Sequence, residues 1–414
     1  MFTHLYVTLG KTIHPTNAFY PPQPATSTTK IKLLAAAGNN NRTFNQLIFF
    51  MTIQTDILII GGGISGLLTA RELRLAGREV MIIDKAEFGK ESSWAGGGIL
   101  LPIYPWRQVQ AISALVAQSL KKYPDLYQEL LTATGIDPEW RDCGMLICKN
   151  PDYLAASAWC QQYQIPHQSV LPKQAKALNT RFQNPLWLPD IAQIRNPRFL
   201  QAMQAYLLQL GVSFFEHTVI NQVTIKQQHI QQVHSENQCF KFKELVVCTG
   251  AWTTDFLNSI IPAENNARAL PIQPVKGQML LFDAQPDTLD YMVLDGDHYL
   301  IPRRDGKILA GSTVEATGFD KSTSESAKQQ LYAFATQLLP SLQHFPLCQH
   351  WAGLRPGTPD GVPFIGRHPH FDNLSINAGH FRNGLVMGPA AAQLLADLLL
   401  ERVTTVDASL YALD

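Results

Sequence analysis

Charge is scarce in this chain. Asp, Glu, Lys and Arg make up 16% of its 414 residues, where an average soluble domain carries about a quarter. So little charge beside 46% hydrophobic residues means a large interior, which excludes disorder as the general state. Net charge is missing too, since 33 basic residues face 33 acidic ones. No global positive field exists to hold a nucleic acid, and none is expected as a partner. The six cysteines, Cys143, Cys148, Cys160, Cys239, Cys248 and Cys348, form no C-x-x-C pair and no Cys/His cluster of zinc spacing. Metal binding has no support, and the thiols read as buried groups of a reducing, cytoplasmic compartment. No apolar run approaches the ~20 residues of a membrane span. Glycine and proline, 27 and 26 residues, are at ordinary levels, which excludes collagen-like and low-complexity classes. Internal repeats and separating linkers are absent as well.

Acid is wholly absent from the first 51 residues, which hold Lys11, Lys30, Lys32 and Arg42. Without them the remaining chain carries 29 basic and 33 acidic residues, a net of −4. The stretch contains "ATSTTK" and "GNNNRTFN" and shows neither a strand nor a helix period. Its longest apolar run, 47–51, is too short for a signal-peptide core. Two readings stand: an organelle transit peptide, or a translation start at Met51, where "MTIQTDILIIGGG" looks like a complete beginning. The second is preferred. In both, the segment is expected to stay outside the fold.

Order begins at Thr55. "TDILII" reads as a buried strand, followed by "GGGISG" and the helical pattern "LLTARELRLAG". Gly77 closes that helix, and "REVMIID" is a second strand ending in Asp84. This βαβ unit assigns a task to each glycine: Gly61 for the tight turn, Gly63 for the approach of a pyrophosphate, Gly66 for helix–strand packing. Ile64 and Ser65 open the helix, whose N-terminal amides face the phosphates. Asp84, 23 residues after Gly61, can accept the hydroxyls of an adenosine ribose.

The unit alone does not separate NAD from FAD. Three further stretches bear on that choice. "SSWAGGGILLP" is a second glycine-rich loop, carrying Ser92, Ser93, Ala95, Gly97 and Gly98. "ELVVCTGAWT" is a buried strand ending in Thr249 and Gly250, with Trp252 just beyond. "LSINAGHFRNGLVMGPAAAQLLADLLLE" is a strand, a loop and a helix expected to begin at Gly388-Pro389. Helices are also expected over 107–134 and along "RFLQAMQAYLLQLGV", the latter feeding the strand "SFFEH". The stretches "GQMLLFD" and "DYMVLDGDHYLIPRRDGKILAGSTV" read as hairpin-forming strands.

Together with "DHYLIPRRDGKILAGSTVE", "HWAGLRPGTPDGVPFIGRHP" and "INAGHFRNGLVMGPA", these residues resemble the FAD-dependent D-amino-acid oxidase family, in its glycine oxidase branch. The resemblance runs from about Asp56 to Leu400. It implies an α/β protein with an α+β part: a Rossmann-like FAD-binding domain, discontinuous in sequence, plus a substrate domain with a large antiparallel sheet. The corresponding division is 52–135, 192–270 and 352–414 for FAD, with 136–191 and 271–351 for substrate. It implies noncovalent FAD, because the stretch "WAGLRPGTPDG", where some relatives tether flavin, has no cysteine.

The resemblance also implies the site. Arg355 is the expected carboxylate clamp, Tyr299 its hydrogen-bonding neighbour, and Arg382 a second cation of the substrate and flavin region. Val314 is expected in the pocket wall. Gly353, His380, Asn383, Gly384 and Leu385 join the glycine-rich loops around the flavin, with a structural hydrogen bond as the expected role of His380. Trp94, bulky for its loop, is expected to narrow the pocket or cover the flavin. The implied reaction oxidises glycine, sarcosine and small D-amino acids with O2, feeding an imine to a thiazole-forming enzyme of thiamine biosynthesis, and a homo-oligomer is expected. Open alternatives are a D-amino-acid or sarcosine dehydrogenase serving a membrane carrier, a tRNA-modification-associated flavoprotein, and a non-catalytic flavin-binding module.

Overall fold

In the computed structural model, residues 51–262 and 270–413 are described, together with the backbone of Lys32–Leu33. Strand Ile57–Ile60 shows why the first unit folds as it does. All four residues are buried, and they alternate between two cores: Ile57 and Ile59 face one, Leu58 and Ile60 the other. A period of two with both faces apolar gives a strand at the centre of a layered stack. It lies inside a six-stranded sheet in the order Phe364–Arg367, Leu374–Ala378, Glu244–Val247, Ile57–Ile60, Val80–Ile83, Ser213–Phe215. The last five run parallel, and Phe364–Arg367 is antiparallel at the edge.

On one face lie the helices Ile64–Leu75, Gln110–Thr134, Asn196–Gln209 and Gly384–Leu399, joined in one core by Leu67, Ile112, Phe199 and Met387. On the other face lies a small sheet of Met51–Gln54, Gln238–Lys241, His229–His234 and Gln222–Lys226, contributing Val233 and Phe240. The segment expected as one strand from Thr55 therefore belongs to the second of two strands in different sheets. At that edge Lys32 and Leu33 pair antiparallel with Thr52 and Met51, so two residues of the segment expected outside the fold touch it. The rest of residues 1–50 lies outside the described residues.

A seven-stranded sheet forms the other large layer, in the order Leu347–Gly357, Gln273–Phe282, Ile308–Gly311, His298–Pro302, Met292–Asp295, Met145–Ile147, Leu186–Leu188. It is the expected large antiparallel sheet, with one parallel junction where Met292–Asp295 pairs with Met145–Ile147. Leu280 and Phe282 pack under helix Glu325–Leu338, while Met279, Tyr299 and Ile301 emerge on the opposite face. The boundary read at 351/352 falls within the unbroken strand Leu347–Gly357.

The C-terminal helix corrects a second expectation. It begins at Gly384, and Pro389 lies inside it. A proline there deprives the carbonyl four residues earlier, Leu385, of its helical donor. Tyr123 repairs the loss by donating its hydroxyl to that carbonyl, and Ser119 Oγ accepts the Ala390 N–H at 3.0 Å. Both come from helix Gln110–Thr134 and are buried, so the defect fixes the packing of one helix on the other. Tyr123→Phe should strand a buried carbonyl and cost about 1–3 kcal/mol, read by denaturant unfolding; unchanged stability would contradict this role.

Candidate FAD and substrate site

Between the carboxyl ends of the parallel strands and the face of the seven-stranded sheet that carries Met279 and Tyr299 lies a cavity of about 520 Å3. In open α/β sheets, ligands bind at this end because strand-to-helix turns present backbone donors there. Gly61 turns out of strand Ile57–Ile60 with φ +109°, and a Cβ on it would strike the Cys248 carbonyl. Gly66 lies over the Gly61 carbonyl, which leaves no room for any side chain. A Cβ on Gly63 would meet only Ser93 Oγ, at 3.2 Å, so that position is open toward the cavity. The three glycines thus lie at the turn, at the cavity and over the turn's own carbonyl, in that order.

Asp84 ends strand Val80–Ile83 and does more than face a ligand. Its Oδ2 accepts the Gly62 N–H at 2.7 Å and its Oδ1 accepts the Ala86 N–H at 2.9 Å. Each oxygen keeps a lone pair for a ribose hydroxyl, while the first glycine loop is pinned from the second strand. Burial pushes the carboxyl up, and the two N–H bonds pull it back.

Helices Ile64–Leu75 and Gly384–Leu399 both start at the cavity wall. Neither is capped by the side chain of its own N-cap residue, and neither has an acidic residue in its first turn. Ser93 Oγ accepts the Ile64 N–H at 2.9 Å; the remaining amides of the two ends, with their positive dipoles, are left for an anion or an electron-rich ring. Two buried polar atoms of lining residues also lack a partner, His380 Nε2 and Asn196 Oδ1. His380 therefore does not make the expected structural bond at Nε2. Burial pushes its imidazole down to about 4, so the ring is neutral at pH 7.

Arg355 lies at the far side, on strand Leu347–Gly357. Pairing with Gln273–Phe282 sets Gly277 opposite Gly353 and Val275 opposite Arg355. A Cβ on Gly277 would collide with the guanidinium, so glycine there gives Arg355 its space. Its Nη2 donates to Ser312 Oγ at 2.8 Å, and its Nη1 to the Thr313 and Lys276 carbonyls at 3.2 and 3.4 Å. The Tyr299 hydroxyl lies beside it as a further partner. Among the described residues no carboxylate is within ion-pair distance, and burial lowers the guanidinium pKa. Arg382 adds positive charge to the same region.

The cavity brings together every residue expected in it except Gly66, which packs behind the turn, and two others. Val314 is 52% exposed and outside the lining, because the chain leaves the sheet after Gly311 and Ser312 takes the wall position instead. Trp94 turns away to an edge contact with Trp351, ring centroids 5.6 Å apart. Cys348, expected to be buried, is exposed. Lys85, Asn196, Ile220, Met279 and Ser312 also line the cavity. Lys85 alone carried a signal, directly after the acid that closes the βαβ unit; its ammonium stands 4.1 Å over the Trp252 ring.

These turns, helix ends and unpartnered atoms fit a dinucleotide with a flavin. Residues 56–398 match the family of FAD dependent oxidoreductases, DAO. The chain belongs to that family. It is 40% identical over 361 residues to a glycine oxidase of Pseudomonas aeruginosa, covering 86% of this chain and 98% of that protein. It is 30% identical to a bifunctional protein ThiO/ThiG of Trichormus variabilis, over 84% of this chain and 53% of the longer relative. The fold is similar to the crystal structure of glycine oxidase from Geobacillus kaustophilus, with a TM-score of 0.81 at 24% identity, over 87% and 98% of the two chains.

Two glycines separate binding from folding. Gly63→Ala should cost little thermal stability and weaken FAD binding, because the new methyl enters the cavity and meets on the protein side only the Ser93 hydroxyl, which needs to shift by a few tenths of an ångström. Gly66→Ala should destabilise the apoprotein itself by several kcal/mol, since its methyl lands on a backbone carbonyl. Equal FAD affinity of Gly63→Ala and parent, measured by titrating apoprotein, would remove Gly63 from the cofactor site.

Proposed function

We propose that this protein oxidises glycine, together with sarcosine and small D-amino acids, to the corresponding imines, with dioxygen as final electron acceptor. One observation carries the reading: Arg355 is a partly buried cation without an acid partner among the described residues, in the wall of the FAD cavity. A lone charge drawn partly out of water is costly. A substrate carboxylate supplies the missing anion, and the guanidinium fork can meet both of its oxygens. The oxygens of Ser312, Thr313 and Lys276 use three of its five N–H groups. Near it, Met279, Leu101 and Ile103 line the cavity with apolar groups, which suits a substrate with little or no side chain.

When bound, FAD supplies the redox chemistry, taking a hydride from the α-carbon and delivering both electrons to dioxygen as hydrogen peroxide. The chain's own part is positioning. Arg355 and Tyr299 fix the carboxylate, and the apolar wall keeps water from the α-carbon. His380, being neutral, does not repel an entering amine. No base is needed when that amine arrives unprotonated. The imine of glycine then hydrolyses to glyoxylate and ammonia. The relatives named ThiO/ThiG support a thiazole-forming enzyme as its consumer. Noncovalent FAD is supported by Cys248, the cysteine of the cavity lining, whose thiol burial pushes up to about 12, far from a reactive thiolate. Six free cysteines suit a cytoplasmic setting.

The test is steady-state peroxide production. The parent should turn over glycine. Arg355→Ala should stay yellow and lose about two to four orders of magnitude in kcat/KM, or ~3–5 kcal/mol. Arg355→Lys should recover only part, because an ammonium lacks the fork. Equal rates in all three, or activity on L-amino acids alone, would contradict the proposal.

A further inference from the structure

A second arginine lacks an acid partner among the described residues; it is buried, and it stands behind the cofactor loop rather than in the substrate site. Arg303 follows strand His298–Pro302 and is 7% exposed. Its Nη2 donates to the Gly97 carbonyl at 2.8 Å, and its Nη1 to Gln193 Oε1 at 2.7 Å and the Ile194 carbonyl at 3.2 Å. The nearby acids Glu139 and Asp305 pair with Arg195 instead, at 3.2 and 3.0 Å. Neutral donors would satisfy three neutral oxygens without burying a charge, so the charge itself calls for an explanation.

The loop it grips supplies one. The Asn196 side chain donates to the Ser93 carbonyl at 2.7 Å, Trp351 Nε1 to Ala95 at 3.1 Å, and the Ile194 N–H to Gly98 at 3.0 Å. With Arg303 on Gly97, four carbonyls of this loop are held from outside. A peptide unit is planar and trans, so a carbonyl held on one side sends the next N–H to the other. The amides of Gly96 and Gly98, both cavity-lining, are thereby turned away from those donors. A Cβ on Gly97 would meet the Tyr299 ring at 3.4 Å, so the Arg303 charge lies one peptide behind the wall that Tyr299 shares.

We propose that Arg303 is a positioning residue for the flavin: it orients the Gly97–Gly98 peptide so that the amide meets FAD, and its unpaired charge favours the electron-rich, reduced cofactor. This rests on the family's cofactor and not on the glycine reading. The experiment compares Arg303→Lys, Arg303→Gln and parent by titrating each apoprotein with FAD and measuring the midpoint potential of each loaded protein. Both variants should raise the FAD Kd about tenfold or more, since neither reproduces the fork. The potential of Arg303→Gln should shift to more negative values, while that of Arg303→Lys stays near the parent. An unchanged Kd in both, or a Gln variant with the parent's potential and only a lower melting temperature, would overturn the proposal. Should these variants not fold, Gln193→Leu removes one acceptor and keeps the charge. It should raise the Kd several-fold at constant potential, and an unchanged Kd there would also overturn it.

Discussion

A partly buried guanidinium without an anion among the described residues is the constraint on which this architecture turns. Arg355 is held by neutral oxygens of Ser312, Thr313 and Lys276, and a charge withdrawn from water in this way is costly until an opposite charge meets it. The ten-residue strand Gln273–Phe282 runs along Leu347–Gly357 with its register set so that Gly277 makes room for the guanidinium. Thr313 and Glu315 bond to each other behind it, and Lys276 pairs with Glu315 and Asp320. The charges behind the clamp are thus paired among themselves, and Arg355 is left for the cavity.

Charge is sorted along the cavity in the same way. Acids gather at the end formed by the βαβ unit, where Asp84 and Glu91 approach one another and Lys85 stands among Asp84, Glu91 and Asp255. Arg355 and Arg382 stand together at the other end and repel each other. Helix ends without caps add positive potential from the backbone. Ribose hydroxyls need acceptors, and phosphates, a reduced flavin and a carboxylate need donors, so this polarity matches a dinucleotide lying along the cavity with an amino acid beyond it.

The parts of this arrangement legible in sequence are those whose partners are near in the chain. Gly61, Gly63, Gly66 and Asp84 belong to one βαβ unit, and local spacing fixes what each does. Pro389 misleads because proline commonly starts a helix; its actual tolerance comes from Tyr123, 262 residues from the carbonyl it repairs. Val314 misleads because the chain leaves the sheet at Gly311, and nothing local marks which of the next residues stays in the wall. Arg303 and Asn196 carried no signal at all. Their partners, Gly97 and Ser93, lie 206 and 103 residues away, and a lone arginine in a hairpin reads as a solvated surface group until tertiary packing buries it.

The most direct test of the central claim, that an unpaired cation in the cavity wall reads a carboxylate, uses two small amines that differ only in that group. FAD-loaded protein is mixed without oxygen with glycine or with glycinamide, and loss of the yellow absorbance is followed in time. Glycine should bleach the flavin and glycinamide should not, even at far higher concentration. Bleaching by glycinamide at the same rate and concentration dependence would show that the site does not select the carboxylate, and would contradict the account at its root.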